Sequence, residues 1–219
     1  MEQSVTGPPY DLDDLIPELA VHARRTTVLS PTSGCPGVGE SSLGGPLLWP
    51  ADEPWPSCAQ RGHHVPPDDR NPAGTVPMVP VVQLFARDVP ELPFPEGADV
   101  LQLLWCPLVH PDDQAYAALP KLHWRNEAAV LATGVLRDVP APQQGEYDEE
   151  FVPSPCTVSP TAVIEYPNWP LCARGHRMEH LLSVTAEEDL DMTMGDLGGM
   201  YVFLCRRCPE LPYAHRYDC

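Results

Sequence analysis

Four cysteine and histidine residues near the C-terminus have the side chains and spacing of a zinc site. Cys172 and His176 form a C-x3-H pair, and a C-x-x-C pair follows at Cys205 and Cys208. Structural zinc is usually held by four thiolate or imidazole ligands, supplied as close pairs on separate turns. These residues therefore predict a structural zinc site, because four protein ligands leave no coordination position for a reacting water.

Two other interpretations of these residues stay open. Cysteines at the ends of strands are often small buried hydrophobes, and this alone would account for Cys172 and Cys205. The C-x-x-C pair could instead be redox active. Thioredoxin-like motifs lie at a helix N-terminus, however, whereas this pair follows a strand pattern and precedes Pro209.

A looser set of the same residue types lies in the first half of the chain. Its candidate ligands are Cys58, His63 or His64, Cys106 and His110. With three of these as ligands and a nearby acid such as Glu53, the metal could activate water, and the chain would be a metal-dependent hydrolase. The other cysteines, Cys35, Cys156 and Cys219, have no partner by spacing and receive no role.

Other catalytic motifs are missing from the sequence. The run Gly39-Glu-Ser-Ser-Leu43 lacks the second glycine of a nucleophile elbow, and no glycine-rich phosphate-binding motif occurs. The paired acids Asp52-Glu53 and Glu187-Glu188 are neighbours in sequence and are interpreted as surface carboxylates. The chain is thus more simply interpreted as non-enzymatic than as an enzyme.

Composition narrows the choice of partners. Thirteen Lys and Arg against 31 Asp and Glu give a formal net charge of −18, which repels nucleic acids and anionic membranes. The simpler interpretation of this charge is solubility. The more specific interpretation is a surface that attracts a basic protein partner. The N-terminus has no signal-peptide pattern, so we expect a cytoplasmic protein whose eight cysteines are reduced.

The apolar pattern predicts an α+β fold, mainly antiparallel sheet with many proline-rich loops. One amphipathic helix is predicted over residues 11–25. Residues 30–42 are predicted as a loop, residues 140–155 as an exposed acidic connector, and residues 187–191 as a solvated loop. The predicted strands are Met78–Phe85, Val100–Cys106, Lys121–Arg125, Ala162–Tyr166, His180–Thr185 and Met200–Cys205.

An internal repeat relates the two halves. Trp55-Pro-Ser-Cys58 corresponds to Trp169-Pro-Leu-Cys172, and each is followed by a methionine that opens a strand pattern. From Met78 to Cys106 is 28 residues, and from Met178 to Cys205 is 27. These matching residues occur in the same order in both halves, which favours duplication over chance. We predict one domain over residues 1–219, with half-units of roughly 43–125 and 160–219.

The run Leu43-Gly-Gly-Pro-Leu-Leu-Trp-Pro-Ala-Asp-Glu-Pro-Trp-Pro56, with Val79–Leu84, Leu92-Pro93 and residues 194–205, resembles the YwqG-like family of bacterial domains in its actinobacterial form. The likeness covers roughly residues 12–219. It implies a duplicated α+β fold, no established reaction and, in some members, association with toxin–immunity loci. Family members often carry C-x-x-C where this chain has Cys172-Ala-Arg-Gly175, which leaves open whether His176 replaces the missing cysteine.

A fainter likeness, in the glycine-pair, tryptophan and cysteine pattern, is to the programmed-cell-death-2 proteins, chaperones for a ribosomal protein. Together the likenesses suggest an immunity-like or chaperone-like binding role. The leading hypothesis is therefore a non-enzymatic acidic protein-binding module with a structural zinc site at Cys172, His176, Cys205 and Cys208.

Overall fold

A computed structural model describes residues 24–59, 63, 74–110, 118–144, 147–165, 170–185 and 198–218. The strands are β1 (Arg24–Val28), β2 (Pro31–Ser33), β3 (Ser42–Leu43), β4 (Ser57–Cys58), β5 (Val76–Pro77), β6 (Val79–Phe85), β7 (Val100–Trp105), β8 (Pro120–Arg125), β9 (Cys156–Val158), β10 (Thr161–Glu165), β11 (Glu179–Thr185), β12 (Gly199–Leu204) and β13 (Tyr213–Asp218). Helix α1 spans Glu127–Thr133, and a 3-10 helix spans Glu149–Phe151.

Two sheets dominate the described part of the chain. The larger has six strands in the order β2-β9-β3-β6-β7-β8, and the smaller has three in the order β11-β12-β13. Strands β1 and β10 form a two-stranded sheet, as do β4 and β5. All these pairings are antiparallel. The predicted α+β class with mainly antiparallel sheet is confirmed.

The main hydrophobic core lies between the two larger sheets. Leu84 and Leu103 of the six-stranded sheet share a buried cluster with Leu182 and Val202 of the three-stranded sheet. Strand β7 is buried at every position, and its sequence is apolar except for Gln102. A strand covered on both faces is apolar along most of its length because neither face meets water.

The two halves contain meanders with the same register. Strands β6-β7-β8 form one, and β11-β12-β13 form the other. Each first pair is interrupted by a bulge at the same place, between Pro80 and Val82 in one and between His180 and Leu182 in the other. The pairings β7–β8 and β12–β13 each include six residue pairs. In each pairing, the last residue of the first strand directly precedes a candidate ligand, Cys106 or Cys205. The predicted duplication stays a prediction, and this match supports it.

Buried amides fix the loop that leads into the first cysteine. The Leu48 N–H donates to Gln83 Oε1 (2.6 Å), and Gln102 Nε2 donates to the same oxygen (2.9 Å) and to the Leu48 carbonyl (2.9 Å). Since buried polar groups must be paired, these bonds hold the loop to β6 and β7. Trp49 and Trp55 of this loop then pack in one cluster with Cys58 and Cys106.

Several local predictions need correction. Most of the predicted helix 11–25 lies outside the described residues, but its last two residues begin strand β1 and pair with β10. The described helix is instead α1, capped by the Asn126 side chain, which accepts from the Ala129 N–H (3.0 Å). Within the predicted loop 30–42, residues 31–33 form β2 and residue 42 begins β3.

The acidic connector predicted at residues 140–155 is not exposed throughout. The side chain of Phe151 is 5 % exposed and belongs to the main core. Its carbonyl accepts from Trp105 Nε1 (2.6 Å), which ties the connector to the end of β7. The acidic run at residues 187–191 lies outside the described residues. None of the helices in the described ranges has the length and apolar character needed to cross a bilayer.

Candidate metal centres

The first Cys/His cluster forms where β4 meets the end of β7. Cys58 closes β4, and Cys106 directly follows β7. The Met78 N–H donates to the Pro56 carbonyl (3.0 Å), and Trp55 Nε1 donates to the Met78 carbonyl (2.8 Å). These two bonds fasten the chain before Cys58 to the start of β6. The backbone thus carries both thiols to one point, which His63 and His110 approach from loops.

The side-chain distances in this cluster are those of a tetrahedral zinc shell. His63 Nε2 lies 3.6 Å from the sulfurs of both Cys58 and Cys106, and His110 Nε2 lies 3.8 Å from the Cys58 sulfur. All four ligand atoms lie within 4.8 Å of one another. Zinc bonds of about 2.3 Å to sulfur and about 2.0–2.1 Å to nitrogen place sulfur and nitrogen about 3.5 Å apart in a tetrahedron.

All four residues of this cluster are buried. Cys106 is fully buried, and His63, at 7 %, is the most exposed of the four. The hydrogen bond with Cys58, burial and the charge of that neighbouring thiol, in this order, raise the pKa of Cys106. A thiol so hard to ionise by itself is deprotonated when it coordinates a cation, so Zn²⁺ would supply the charge that this pocket lacks.

The second cluster is built from two tight turns. In the first, the Cys172 N–H donates to the His176 carbonyl and the Gly175 N–H to the Cys172 carbonyl, both at 2.8 Å. Gly175 has φ +74°, a conformation that glycine adopts without steric cost. The second turn follows β12 and carries Cys205 and Cys208. The ligand side chains of the first turn, Cys172 and His176, face those of the second, Cys205 and Cys208.

The geometry of the second cluster also fits zinc. His176 Nδ1 lies 3.7 Å from the Cys205 sulfur and 3.4 Å from the Cys208 sulfur, and these sulfurs are 3.7 Å apart. The Cys172 sulfur lies within 4.8 Å of each of these three atoms. Two sulfurs on one tetrahedral zinc are about 3.8 Å apart, whereas a disulfide requires about 2.0 Å. The C-x-x-C pair therefore has metal-site spacing and is not oxidised.

The thiols of the second cluster differ in acidity. Burial opposes ionisation of Cys172, but backbone N–H groups at Arg174 and His176 and the neighbouring thiols lower its pKa overall. Burial first, then hydrogen bonds with Cys205 and Cys172, raise the pKa of Cys208 to about 11. Ionisation is thus favoured at Cys172 and opposed at Cys208, where a coordinated cation would stabilise the thiolate.

Equivalent backbone hydrogen bonds frame the two clusters. The bond from Met78 to Pro56 (3.0 Å) has its counterpart from Met178 to Pro170 (2.9 Å). The Cys106 N–H donates to the Leu119 carbonyl (3.1 Å), just as the Cys205 N–H donates to Pro212 (2.9 Å). The same scaffold therefore presents both ligand sets.

The clusters differ in their surroundings. The first lies within a buried tryptophan-lined cluster, whereas in the second His176 is half-buried and the residues between the ligands are exposed. Four exposed arginines lie in or beside these turns: Arg174, Arg177, Arg206 and Arg207. Arg174 pairs with Glu210 (2.7 Å) and Arg206 with Glu179 (2.5 Å). The second site thus lies nearer to solvent.

The structure brings both predicted ligand sets together. It places His63 in the first set, while His64 lies outside the described residues. Cys156 is buried in β9 and Cys35 is exposed; neither belongs to a Cys/His ligand cluster of the described residues. Glu53, the acid considered for a hydrolase, accepts from both terminal nitrogens of Arg125. That hydrogen bond is the main cause that lowers the pKa of Glu53.

A cavity of about 240 Å³ was not foreseen from the sequence. Its lining includes residues 180–185 of β11 and residues 27–31 around the turn between β1 and β2. Val28, at its rim, is 47 % exposed. No spacing signal could reveal this cavity, because its walls come from segments about 150 residues apart that meet only in the fold.

Comparison with known proteins gives no matching family model and no matching curated protein. The likeness to the YwqG-like family stays a prediction, and the chemistry of the chain is inferred from the two clusters.

Proposed function

We propose that the chain is a non-enzymatic protein-binding module in which a structural zinc ion closes each half-unit. The observation that carries the proposal is the convergence of two four-residue Cys/His sets, each with its ligand atoms within 4.8 Å of one another. Two thiols with two imidazoles, and three thiols with one imidazole, are both ligand sets of structural zinc.

Zinc would supply much of the folding free energy. Structural sites have apparent binding free energies of about 10–16 kcal/mol, as large as the roughly 5–15 kcal/mol stability of an ordinary domain. Each ion would connect the end of a strand, β7 or β12, to ligands that are distant in the sequence. A chain with 29 prolines forms few long elements, so such cross-links replace some of the stabilisation that regular structure gives elsewhere.

The hydrolase alternative has less support. It needs three ligands and an open position at the first site, whereas four buried side chains converge there. It also needs a free acid, and Glu53 is held by Arg125 in a two-point ion pair. Both observations favour a closed site, which stabilises structure and activates no water.

The binding role follows from charge and from the resemblance. A net charge of −18 favours a basic protein partner through attraction at long range. An immunity-like or chaperone-like role would suit such a surface, in line with the predicted family. The matched registers of the two meanders support an origin of the half-units by duplication.

Metal analysis of purified protein tests the zinc part of the proposal. We expect two zinc ions per chain, and a metal-free folded protein would overturn this part. Capture of partners from a cell extract at low and at high salt tests the binding part. A basic protein retained at low salt and released at high salt is the expected result; a clean eluate under both conditions would count against binding.

A further inference from the structure

Two of the three thiols of the second cluster lie on a single turn. Cys205 and Cys208 are separated by two turn residues, and their sulfurs are 3.7 Å apart. A four-residue turn keeps its first and last Cα atoms within about 7 Å, and disulfides join cysteines whose Cα atoms are about 4.4–6.8 Å apart. Rotation of the two side chains can therefore bring these sulfurs within bonding distance without movement of a strand.

The two thiols of the first cluster lie on separate elements. Cys58 closes β4, and Cys106 directly follows β7, where its N–H donates to the Leu119 carbonyl (3.1 Å). Both cysteines are buried, and so are residues 107–109 that follow the second of them. A disulfide here would have to draw two anchored strand ends together inside the core, so this pair is poorly placed to oxidise.

The turn that carries Cys205 and Cys208 lies at the surface of the part of the chain that the structure describes. Arg206 and Arg207, between the two cysteines, are exposed, and so is Pro209 after them. Hydrogen peroxide is a small neutral oxidant that attacks cysteine in its thiolate form, which is also the form that binds zinc. Peroxide therefore reaches the thiolates of the second cluster more readily than those of the first.

We propose that Cys205 and Cys208 form an oxidation site, at which hydrogen peroxide converts two zinc-bound thiolates to a disulfide and releases the ion of the second cluster. The ion of the first cluster stays in place under the same conditions. This inference rests on the zinc part of the proposed function and assigns to one of its two sites a reaction that the other lacks.

The proposed reaction conserves atoms and electrons. One thiolate sulfur attacks an oxygen of peroxide, the O–O bond breaks, and hydroxide leaves, which gives a sulfenic acid. The second thiolate attacks the sulfenic sulfur, so that the S–S bond forms and the S–O bond breaks with loss of another hydroxide. Protons from solvent convert both hydroxides to water. The two sulfurs are oxidised, and they supply both electrons that reduce the peroxide.

Disulfide formation removes half of the ligands of the second cluster. Cys172 and His176 remain, whereas a structural zinc ion is held by four ligands. Without the ion, the turn before β11 is no longer tied to the turn after β12. Met178 and Phe203, which are buried in one cluster with these thiols, then lose part of their cover. Reduction restores both thiols, and added zinc rebuilds the site.

Peroxide treatment of the zinc-loaded full chain tests the proposal. After desalting, zinc content should fall from about two ions per chain to about one, whereas an untreated sample keeps both. Peptide mass spectrometry of the treated protein should show a disulfide between Cys205 and Cys208. Hydrogen exchange of residues 172–178 should become faster. Reduction followed by addition of zinc should return the content to about two ions per chain.

Cys208→His separates this pair from the remaining thiols. Histidine is also a zinc ligand, so the second set keeps four donors but loses one thiol of the pair. The variant should bind about two ions and should lose one of them to peroxide at least about tenfold more slowly than wild type. Cys35→Ala removes an exposed cysteine outside both clusters and should behave as wild type. The disulfide map of the wild type does not depend on how the variant folds.

Three results would reject the oxidation site. They are retention of both ions at peroxide concentrations that oxidise Cys35, loss of both ions together, and release of one ion without the disulfide between Cys205 and Cys208. Each of them leaves the zinc part of the proposed function standing, because the untreated sample reports on it. A folded protein that holds no zinc before treatment would reject that part, and this inference with it.

Discussion

The sulfur of Cys208 lies 3.4 Å from Nδ1 of His176, although 32 residues separate them in the chain. The contact joins the turn after β12 to the turn before β11. His176 thus completes a group of four with Cys172, Cys205 and Cys208, whose ligand atoms lie within 4.8 Å of one another, although Cys172-Ala-Arg-Gly175 lacks a second cysteine.

Replacement of one ligand should remove one ion. Cys208→Ala leaves three ligands at the second site, and we expect zinc content to fall from about two ions to about one per chain, with a lower unfolding temperature. Elemental analysis and thermal unfolding measure the two effects. Cys35→Ala changes an exposed cysteine outside both clusters and should alter neither. Retention of both ions in Cys208→Ala would contradict the assignment.

The two ions should leave at different rates. The first ligand set is buried throughout, whereas His176 is half-buried and flanked by exposed turns. Release to a chromogenic chelator should therefore be biphasic, with equal amplitudes. Cys208→Ala should abolish the fast phase and keep the slow one. Loss of the slow phase instead would reverse the assignment of the two sites.

Stability should decrease between about pH 6.5 and about pH 4 because of His123. Burial, followed by the charges of Arg125 and Lys121, lowers the pKa of this histidine to about 4. The unfolded chain, with a histidine pKa of about 6.5, binds the proton first, so acid favours unfolding throughout this window. Allowing for solvent screening, the loss should be about 1–2 kcal/mol.

His123→Gln isolates this effect, since glutamine does not titrate. Denaturant unfolding of both proteins between pH 7 and pH 4, with zinc occupancy followed in parallel, measures the difference. Proton competition for zinc acts on both proteins alike and cancels. The ion pair of Glu53 weakens only below the ordinary carboxyl range, because Arg125 lowers the pKa of that group. Identical pH profiles would contradict the prediction.

Gly44 should not tolerate a side chain. It has φ +59°, and an added Cβ would lie 2.4 Å from the Ser154 carbonyl oxygen. A left-handed non-glycine residue costs about 1–2 kcal/mol, and the clash with backbone adds to it. Gly44→Ala should therefore destabilise the fold by more than about 2 kcal/mol. Gly39→Ala meets nothing within 4 Å and should change stability little. Equal unfolding midpoints would refute the argument.

The sequence located strands that contribute apolar side chains to the main core. Those predicted at Val100–Cys106 and His180–Thr185 match β7 and β11 to within one residue. Strand β13 was missed because Tyr213–Asp218 contains no apolar run. The two-residue strands β3, β4 and β5 carry no pattern of their own; partners distant in sequence define them.

The candidate sites were more predictable than the fold around them. Close spacing places Cys205 beside Cys208 in any turn, so the second site could be inferred locally. The place of His63 in the first site could not be inferred in this way, because His63 and His64 are adjacent and have the same ligand chemistry. The cavity lined by residues of β11 could not be predicted either, because its walls meet only through the pairing of distant strands, which is a property of the whole fold.

The backbone N–H groups of Cys106 and Cys205 donate to the residues directly before β8 and β13, Leu119 and Pro212, while their sulfurs belong to the two Cys/His clusters. A ligand anchored in this way cannot retreat without breaking a bond of its meander. An ion with longer bonds to sulfur, such as cadmium, would have to push the strand end outward. A bound ion of the wrong size would therefore strain the end of a β-strand. Each cluster would for this reason select ions by the length of their bonds to sulfur.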